Sequence, residues 1–423
     1  MKLMNTFSRR FITGLIALAL ICALPGTAQN YPNPGPGMQG FSPAAAGGAV
    51  DHAFTQTTTQ FSTASTTYVD VTGASIASTE FVEGKTYLIH ILANVSNSTG
   101  DNATIMKVRH GTTDFDNGDG HHVGDNANLY SVHGFLTVWT AVAGESINLQ
   151  VRSPSASNAL VDNVQMFALD LTGLVYYFAE TFPDDAPDAD GTDGAAITFT
   201  PGTAGHNWWV ASNVRQGTSA GVANGSWIAR SGEASSALPI VSQTAFGTAR
   251  TKWLLSRVFN LGAASNTFTQ VSSASSGTQT RFRSTIFALN LNQFVAHAVA
   301  YTEADVALSD TNYATQLQTL SITPTEIDDV WIGGFFGFNK NDAVRTAEFR
   351  LQIGNTDVPS DQTSDNRNFA LGIAAADIEP LSIQTVQNLA ASAHTVDLDG
   401  SADSTSGAPA GQTRQLWAVQ LRR

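Results

Sequence analysis

The sequence predicts an all-β protein of tandem antiparallel β-sandwiches, and three observations carry that reading. A six-residue strand is spelled three times, as "MFALDL" at 166–171, "IFALNL" at 286–291 and "LWAVQL" at 416–421. Apolar and polar residues alternate with a period of two. "SINLQVRS" sets Ile147, Leu149 and Val151 against Asn148, Gln150 and Arg152, and "EFRLQI" does the same with Phe349, Leu351 and Ile353. That pattern belongs to strands with one buried and one wet face, and 3.6-residue periodicity is scarce. The copies also align along their length. One gapless shift pairs Val138 with Val258, Gln150 with Gln270, Val151 with Val271 and Phe167 with Phe287; a second pairs Val258, Asn260 and Leu261 with Val386, Asn388 and Leu389. By the last strand, where Phe287 meets Trp417, the second shift has grown by a short insertion, as loops allow.

The elements follow in order. Lys2, Arg9 and Arg10 precede an apolar stretch over 11–24, and Gly26 and Ala28 then offer a small-x-small exit. A run of about 14 apolar residues is too short to span a bilayer, so residues 1–28 read as an export signal cleaved after Ala28, with an uncleaved anchor helix as the alternative. Residues 29–48, "QNYPNPGPGMQGFSPAAAGG", form a flexible Pro/Gly-rich tether. Three sandwich repeats follow at 49–172, 173–292 and 293–423, each long enough to bury its own core. Phe167, Phe287 and Trp417 are expected to be equivalent anchors, each facing the opposite sheet of its own sandwich.

Charge and composition narrow the function classes. Net charge is −14, and the signal holds three cations and no acid, so the mature chain is more acidic still. This disfavours nucleic acid and anionic membranes as partners. Cys22 is the only cysteine and leaves with the signal, so no disulfide holds the mature chain together. Charged residues are 13% of the chain, against about 25% in an average domain, which leaves few titratable groups for catalysis. No second apolar run is long enough for a membrane span, and the localisation expected is extracellular or cell-surface.

In domain one the order "TTQFSTASTTYVDVTGASI", a Gly-Lys turn, "TYLIHILANVS", "INLQVRS" and a closing "QMFALDL" resembles tumour-necrosis-factor-like jelly-roll sandwiches, found in phage fibre proteins and bacterial secreted surface proteins. The likeness extends more thinly over domain two and to the last strands of domain three. It implies three tandem jelly-roll-like sandwiches that trimerise or face a receptor, often binding glycans.

Several stretches are candidate sites. "DFDNGDGHHVGDN" (114–126) gathers Asp114, Asp116, Asp119 and Asp125 with His121 and His122, a carboxylate set suited to calcium. It departs from the EF-hand template, with Gly118 at a ligand position and Asp119 where the turn glycine belongs, and the competing reading is a solvated turn-rich loop. "DDAPDADGTDG" (184–194) and "DLDGSADS" (397–404) are similar acidic loops. Trp208, Trp209 and Tyr130, with Tyr176 and Tyr177, are candidate platforms for a sugar ring. Because strand neighbours face opposite sides, one of Trp208 and Trp209 should point outward; packing of both in a core is the alternative. "GTSAG" (217–221) matches a serine-hydrolase elbow formally, but lies among strands rather than between strand and helix.

The reading is therefore an exported, non-enzymatic structural or adhesive surface protein without cofactor, calcium apart. Its partners would be other surface or particle proteins, or glycans, with self-association open. Alternatives are a phage virion fibre or decoration protein, and a secreted polysaccharide-acting enzyme that would need paired carboxylates in a cleft. The intact mass of the secreted protein should correspond to a chain starting at Gln29; a mass that includes Met1 would overturn the export signal.

Overall fold

The computed structural model describes residues 50–99, 102–115, 120–123, 131–155, 157–182, 192–217, 223–231, 241–244, 250–274, 280–304, 306–308, 313, 315–339, 345–358, 370–372, 378–402 and 410–423. The expected export signal and tether lie outside these residues.

Most of the described chain is strand. The first repeat holds β1 (His52–Thr57), β2 (Phe61–Thr63), β3 (Val69–Ile76), β4 (Thr86–Asn97), β5 (Ala103–His110), β6 (Thr113–Asp114), β7 (Gly120–Val123), β8 (Ser131–Thr140), β9 (Ile147–Arg152) and β10 (Ala159–Asp170). The second holds β11 (Tyr176–Thr181), β12 (Thr192–Phe199), β13 (His206–Gly217), β14 (Ala223–Arg230), β15 (Val241–Thr244), β16 (Arg250–Leu261), β17 (Asn266–Ala274) and β18 (Thr280–Asn290). The third holds β19 (His297–Thr302), β20 (Val306–Ala307), β21 (Thr315–Ile322), β22 (Asp328–Asn339), β23 (Arg345–Ile353), β24 (Thr356–Asp357), β25 (Ala370–Gly372), β26 (Ile378–Leu389), β27 (His394–Ala402) and β28 (Ala410–Gln420).

Each repeat makes two antiparallel sheets in one topology. The inner sheets are β1-β10-β4-β8, β11-β18-β13-β16 and β19-β28-β22-β26; the outer ones are β3-β9-β5 with β6 and β7, β12-β17-β14-β15, and β21-β27-β23 with β24 and β25. If the eight main strands of a repeat are counted in chain order, the inner sheet runs 1-8-3-6 and the outer 2-7-4-5. This is the jelly roll, repeated three times.

The repeats close on one another. The fifth strand of each abuts the sixth strand of the next, β7 on β16 and β15 on β26, and the third returns to the first through β25 on β8. At one of these seams, Ser242 pairs with Ile378 and fuses the outer sheet of the second sandwich to the inner sheet of the third. The sixth strands also touch each other. A Cβ added at Gly134 on β8 would fall 2.2 Å from Leu254 Cβ on β16, so only a glycine lets these two strands approach so closely.

Register makes the equivalence exact enough to name residues. Phe167 lies opposite His90, Phe287 opposite Ala211 and Trp417 opposite Gly333. Across the next pair, His90, Ala211 and Gly333 lie opposite Leu136, Ser256 and Gln384. In the first sandwich Ile89, Ile91, Phe135, Met166 and Ala168 pack with Val71, Met106, Val108 and Leu149 as that sandwich's own core. The opposite face, with Leu88, Leu92, Leu136, Phe167 and Leu169, belongs to a single apolar cluster that also contains the cores of the second and third sandwiches. All twelve residues of β10 are buried.

Phe167 therefore does not face the opposite sheet of its own sandwich, as the repeat alone suggested. It stacks on Trp331 of the third sandwich, with centroids 4.8 Å apart and planes at 18°. Trp209, Trp331 and Trp417 meet pairwise at 5.1–5.7 Å. The physical reason is burial on both faces: the side of the inner sheet that alternation assigned to water is covered by another sandwich.

Polar groups are enclosed in these seams. His90 is fully buried, with Trp209 and Trp331 edge-on to its ring. Gln384 donates through Nε2 to the His90 carbonyl at 3.0 Å, so its Oε1 accepts, from His90 Nδ1 at 2.6 Å and Trp331 Nε1 at 3.1 Å. His90 Nε2 has no hydrogen-bond partner, which fixes the neutral Nδ1–H tautomer. Between the first and second sandwiches, Arg283 pairs with Glu180 and lies over the Phe135 ring at 4.6 Å.

Burial lowers the His90 pKa to about 4, against the smaller raising effect of Gln384. The unfolded chain, with an ordinary histidine near 6.5, binds the proton first as pH falls. Stability from His90 is thus complete above pH 6.5 and lost progressively toward pH 4, by roughly 3 kcal/mol. The difference in unfolding free energy between wild type and His90→Gln should change across that window and be flat above it. Phe167→Ala should cost about 3–5 kcal/mol and lower the midpoint of one cooperative transition; a surviving fragment containing the second and third sandwiches would show instead that the seams do not couple them.

Candidate cleft between the second and third sandwiches

The predicted metal ligands separate into one described residue and three that are not. Asp114 is exposed on β6, and its carboxylate is taken by Arg109 Nε at 2.9 Å and Lys107 Nζ at 3.0 Å, a pairing within the outer sheet. Asp116, Asp119 and Asp125 lie outside the described residues. Among the described residues no group of three or more His, Cys, Asp or Glu side chains is arranged to hold a metal. His110 is engaged by Glu145, Nδ1 to Oε2 at 2.6 Å, and packs on Phe115 and Trp139.

The aromatic candidates require correction. Trp208 and Trp209 are 2% and 0% exposed, so neither offers a face to a sugar. Alternation does send them to opposite sides. Trp208 enters the second sandwich's interior against Phe199 and Tyr177, and Trp209 points out of that sandwich into the Trp331–Trp417 cluster. Tyr130 lies outside the described residues, as does Ser219 of "GTSAG", whose described flanks are the strands β13 and β14.

Of the acidic loops, the described part of "DLDGSADS" lies on β27, where Asp397 and Asp399 are buried. Burial raises Asp399 to about 6, with Asp397 adding to the rise and Arg350 opposing it. Gln316 caps Asp397 at 2.6 Å, and Arg350 bridges Asp357 and Asp399 at 3.2 and 3.5 Å. These are ion pairs internal to a sheet.

A concave site lies elsewhere. A cleft of ≈ 410 Å³ is lined by Asn207, Arg230 and Arg257–Asn260 of the second sandwich and by His297, Ala298, Val299 and Tyr301 of the third. The Arg257 guanidinium lies over both the Phe259 and Tyr301 rings, 4.7 and 4.2 Å from their centroids. Its Nη2 is 3.4 Å from Glu303, whose carboxylate also accepts the Tyr301 hydroxyl. Arg230 donates through Nε and Nη2 to Asn266 Oδ1, at 3.0 and 2.8 Å. Asn260 Nδ2 donates to Asn207 Oδ1 at 3.0 Å, which turns the Asn207 amide nitrogen toward His297 Nε2 at 3.2 Å. Burial first, and the neighbouring His206 second, lower the His297 pKa, so its imidazole is neutral near neutral pH. The result is a cleft lined by polar side chains of two sandwiches, beside the buried Val258 and the partly buried Ala298 and Val299 of the shared apolar cluster. No sequence motif marked it, because its residues come from four strands of two repeats.

No protein-family model and no curated protein matches this chain. Among solved structures, it is similar to one from Sulfolobus Turreted Icosahedral Virus (11% identity, TM-score 0.21, covering 80% of this chain and 81% of that one). Another is the triple jelly roll of an archaeal virus turret assembly (11%, 0.20, 83% and 81%). A third is a tandem CBM22 domain from Paenibacillus barcinonensis (12%, 0.17, 59% and 95%). At such values these likenesses bear no weight for function, and the fold rests on the strand order itself.

Proposed function

We propose that the protein is an exported, non-enzymatic structural or adhesive surface component, a single chain that carries the equivalent of a sandwich trimer. The observation that supports this most is the cyclic closure of three jelly rolls around one buried cluster. Tumour-necrosis-factor-like sandwiches, which the first repeat resembles, imply trimerisation. Here the fifth-to-sixth strand contacts of β7 on β16, β15 on β26 and β25 on β8 join three such units within one polypeptide.

Fusing the three units removes the concentration dependence that an oligomer of separate chains would have, because the seams form intramolecularly. A protein exposed to dilution outside a cell gains from that. The composition supports the same reading: a surface dominated by hydroxyls and amides, with 13% charged residues, keeps the chain in solution without many titratable groups. Among the described residues no helix is long and apolar enough to cross a membrane.

Fractionation of the source cells should recover the chain in the surface and extracellular fractions, and purified protein should attach to cells or matrix without altering polysaccharide chain length. Retention in the cytoplasm, or depolymerisation of a polysaccharide by the pure protein, would overturn the proposal.

A further inference from the structure

We propose that the seam between the first and third sandwiches is an acid-sensitive latch: protonation of His90 opens the ring there while each sandwich stays folded. The inference does not depend on the surface role and concerns residues that closure of the ring buries.

The first argument is connectivity. The chain itself crosses the other two boundaries, at 171–175 and 291–296, so the seam between the third sandwich and the first is the one that no peptide link holds. The second and third sandwiches are also joined strand to strand, Ser242 to Ile378. Across the closing seam the bonds run instead through side chains and one chain end: Gln384 N–H to Gln165 Oε1 at 2.7 Å, the His90–Gln384 pair, His52 Nε2 to Asp329 Oδ2 at 3.2 Å, and Val50 N–H to the Leu421 carbonyl at 2.9 Å. Among the described strands none of the first sandwich pairs with one of the third, so opening this seam leaves every sheet whole. The first sandwich also keeps a core of its own, distinct from the shared cluster.

His90 is the group whose charge the closed seam does not accommodate. Its Nδ1–H is committed to Gln384 Oε1, and its Nε2 has no hydrogen-bond partner, so a proton added there becomes a donor without an acceptor, enclosed with Trp209 and Trp331. The side chains set against it are Leu136 from β8, Phe167 from β10, Trp209 from β13, Trp331 from β22 and Gln384 from β26, none of them ionisable in this range. Further along the same face stand His52 on β1 with Asp329 on β22, toward one end, and Arg215 on β13 and Arg283 with Glu180, toward the other. The His90 ring hydrogen-bonds to none of these. Burial holds its pKa at about 4, with Gln384 acting the other way.

In the open state the imidazole meets water and has an ordinary histidine's proton affinity, near pH 6.5. The closed form therefore keeps its full advantage above pH 6.5 and loses it as pH falls toward 4, while the ratio of open to closed rises by on the order of 100-fold. Asp399 titrates within the same window, at about 6, but on the outer sheet of the third sandwich. Opening bares Leu88, Leu92, Phe167 and Leu169 of the first sandwich and Trp331 of the third, an apolar face hidden at neutral pH.

Acrylamide quenching of tryptophan fluorescence and far-UV circular dichroism of the full chain, followed together from pH 7 to pH 4, test this. Quenching is expected to rise severalfold and reversibly over that range, with the dichroism of the strands retained. His90→Gln, which keeps a neutral hydrogen-bonding side chain, should hold the low quenching of the closed ring at pH 4; should it fail to fold at pH 7, His90→Asn takes its place. His52→Gln removes the contact with Asp329 but not the interior imidazole, and should still open, at the wild-type pH or a higher one. Wild-type quenching that stays flat to pH 4, dichroism lost in step with it, a His90 variant that opens over the wild-type window, or a His52→Gln chain that stays closed would each overturn the proposal.

Discussion

An inner sheet buried on both faces has no wet side, and three such sheets can share one interior only if their facing rows interdigitate. The side chains meet that demand by exchanging volume between neighbouring positions. Trp417 lies opposite Gly333, where a Cβ would fall 2.0 Å from the indole, and Phe287 lies opposite Ala211. Where the row holds a larger residue, His90, the aromatic beside it is the smaller Phe167. Close packing at near-crystalline density leaves no slack for a change of even a methylene at these places. The ring of jelly rolls, the seams and the cleft at the edge of one seam all depend on that fit.

Apolar packing alone does not choose partners, and the enclosed polar groups supply the choice. Of the three equivalent positions opposite the central aromatics only the first sandwich has an imidazole, and of the three sixth strands only the third answers it with an amide, Gln384. At the seam between the first and second sandwiches it is Arg283, paired with Glu180 inside the second, that crosses, lying over the Phe135 ring and donating to the Leu136 carbonyl. Buried pairs of this kind add little net stability over an apolar replacement, because desolvation opposes the attraction. Mispairing is a different matter: exchanging two sandwiches would leave the His90 Nδ1–H and the Gln384 amide without partners in a dry interior, and an unmet buried polar group is costly. The His90–Gln384 pair therefore acts on the order of the sandwiches more than on their stability.

How far the sequence showed this differs by sheet. Outer strands such as "INLQVR" and "EFRLQI" keep the period-two pattern, and their strand character was legible from it. The inner strands break it. "TYLIHILANVSN" is buried at eleven of twelve positions, and "MFAL" in the closing strand is four consecutive apolar residues. Such runs are the signature of strands covered on both sides, so the shared interior was written in the one segment that repeats most plainly. The alternation of Trp208 and Trp209 was legible too, but not that the outward side would be another sandwich. The cleft had no local signal, because its side chains come from four strands spread over residues 207–301 and meet only once the second and third sandwiches pack together.

The location of the cleft follows from what the ring leaves unconstrained. Residues in the facing rows are fixed by the shared interior, and the outer sheets are fixed by their own cores. At the rims, where the edge strands β16 and β19 meet between two sandwiches, side chains answer to neither. That is where the three copies diverge, from Thr137 and Thr385 to Arg257. A chain with few cations places two of its guanidiniums at one such rim, each held against neighbouring side chains.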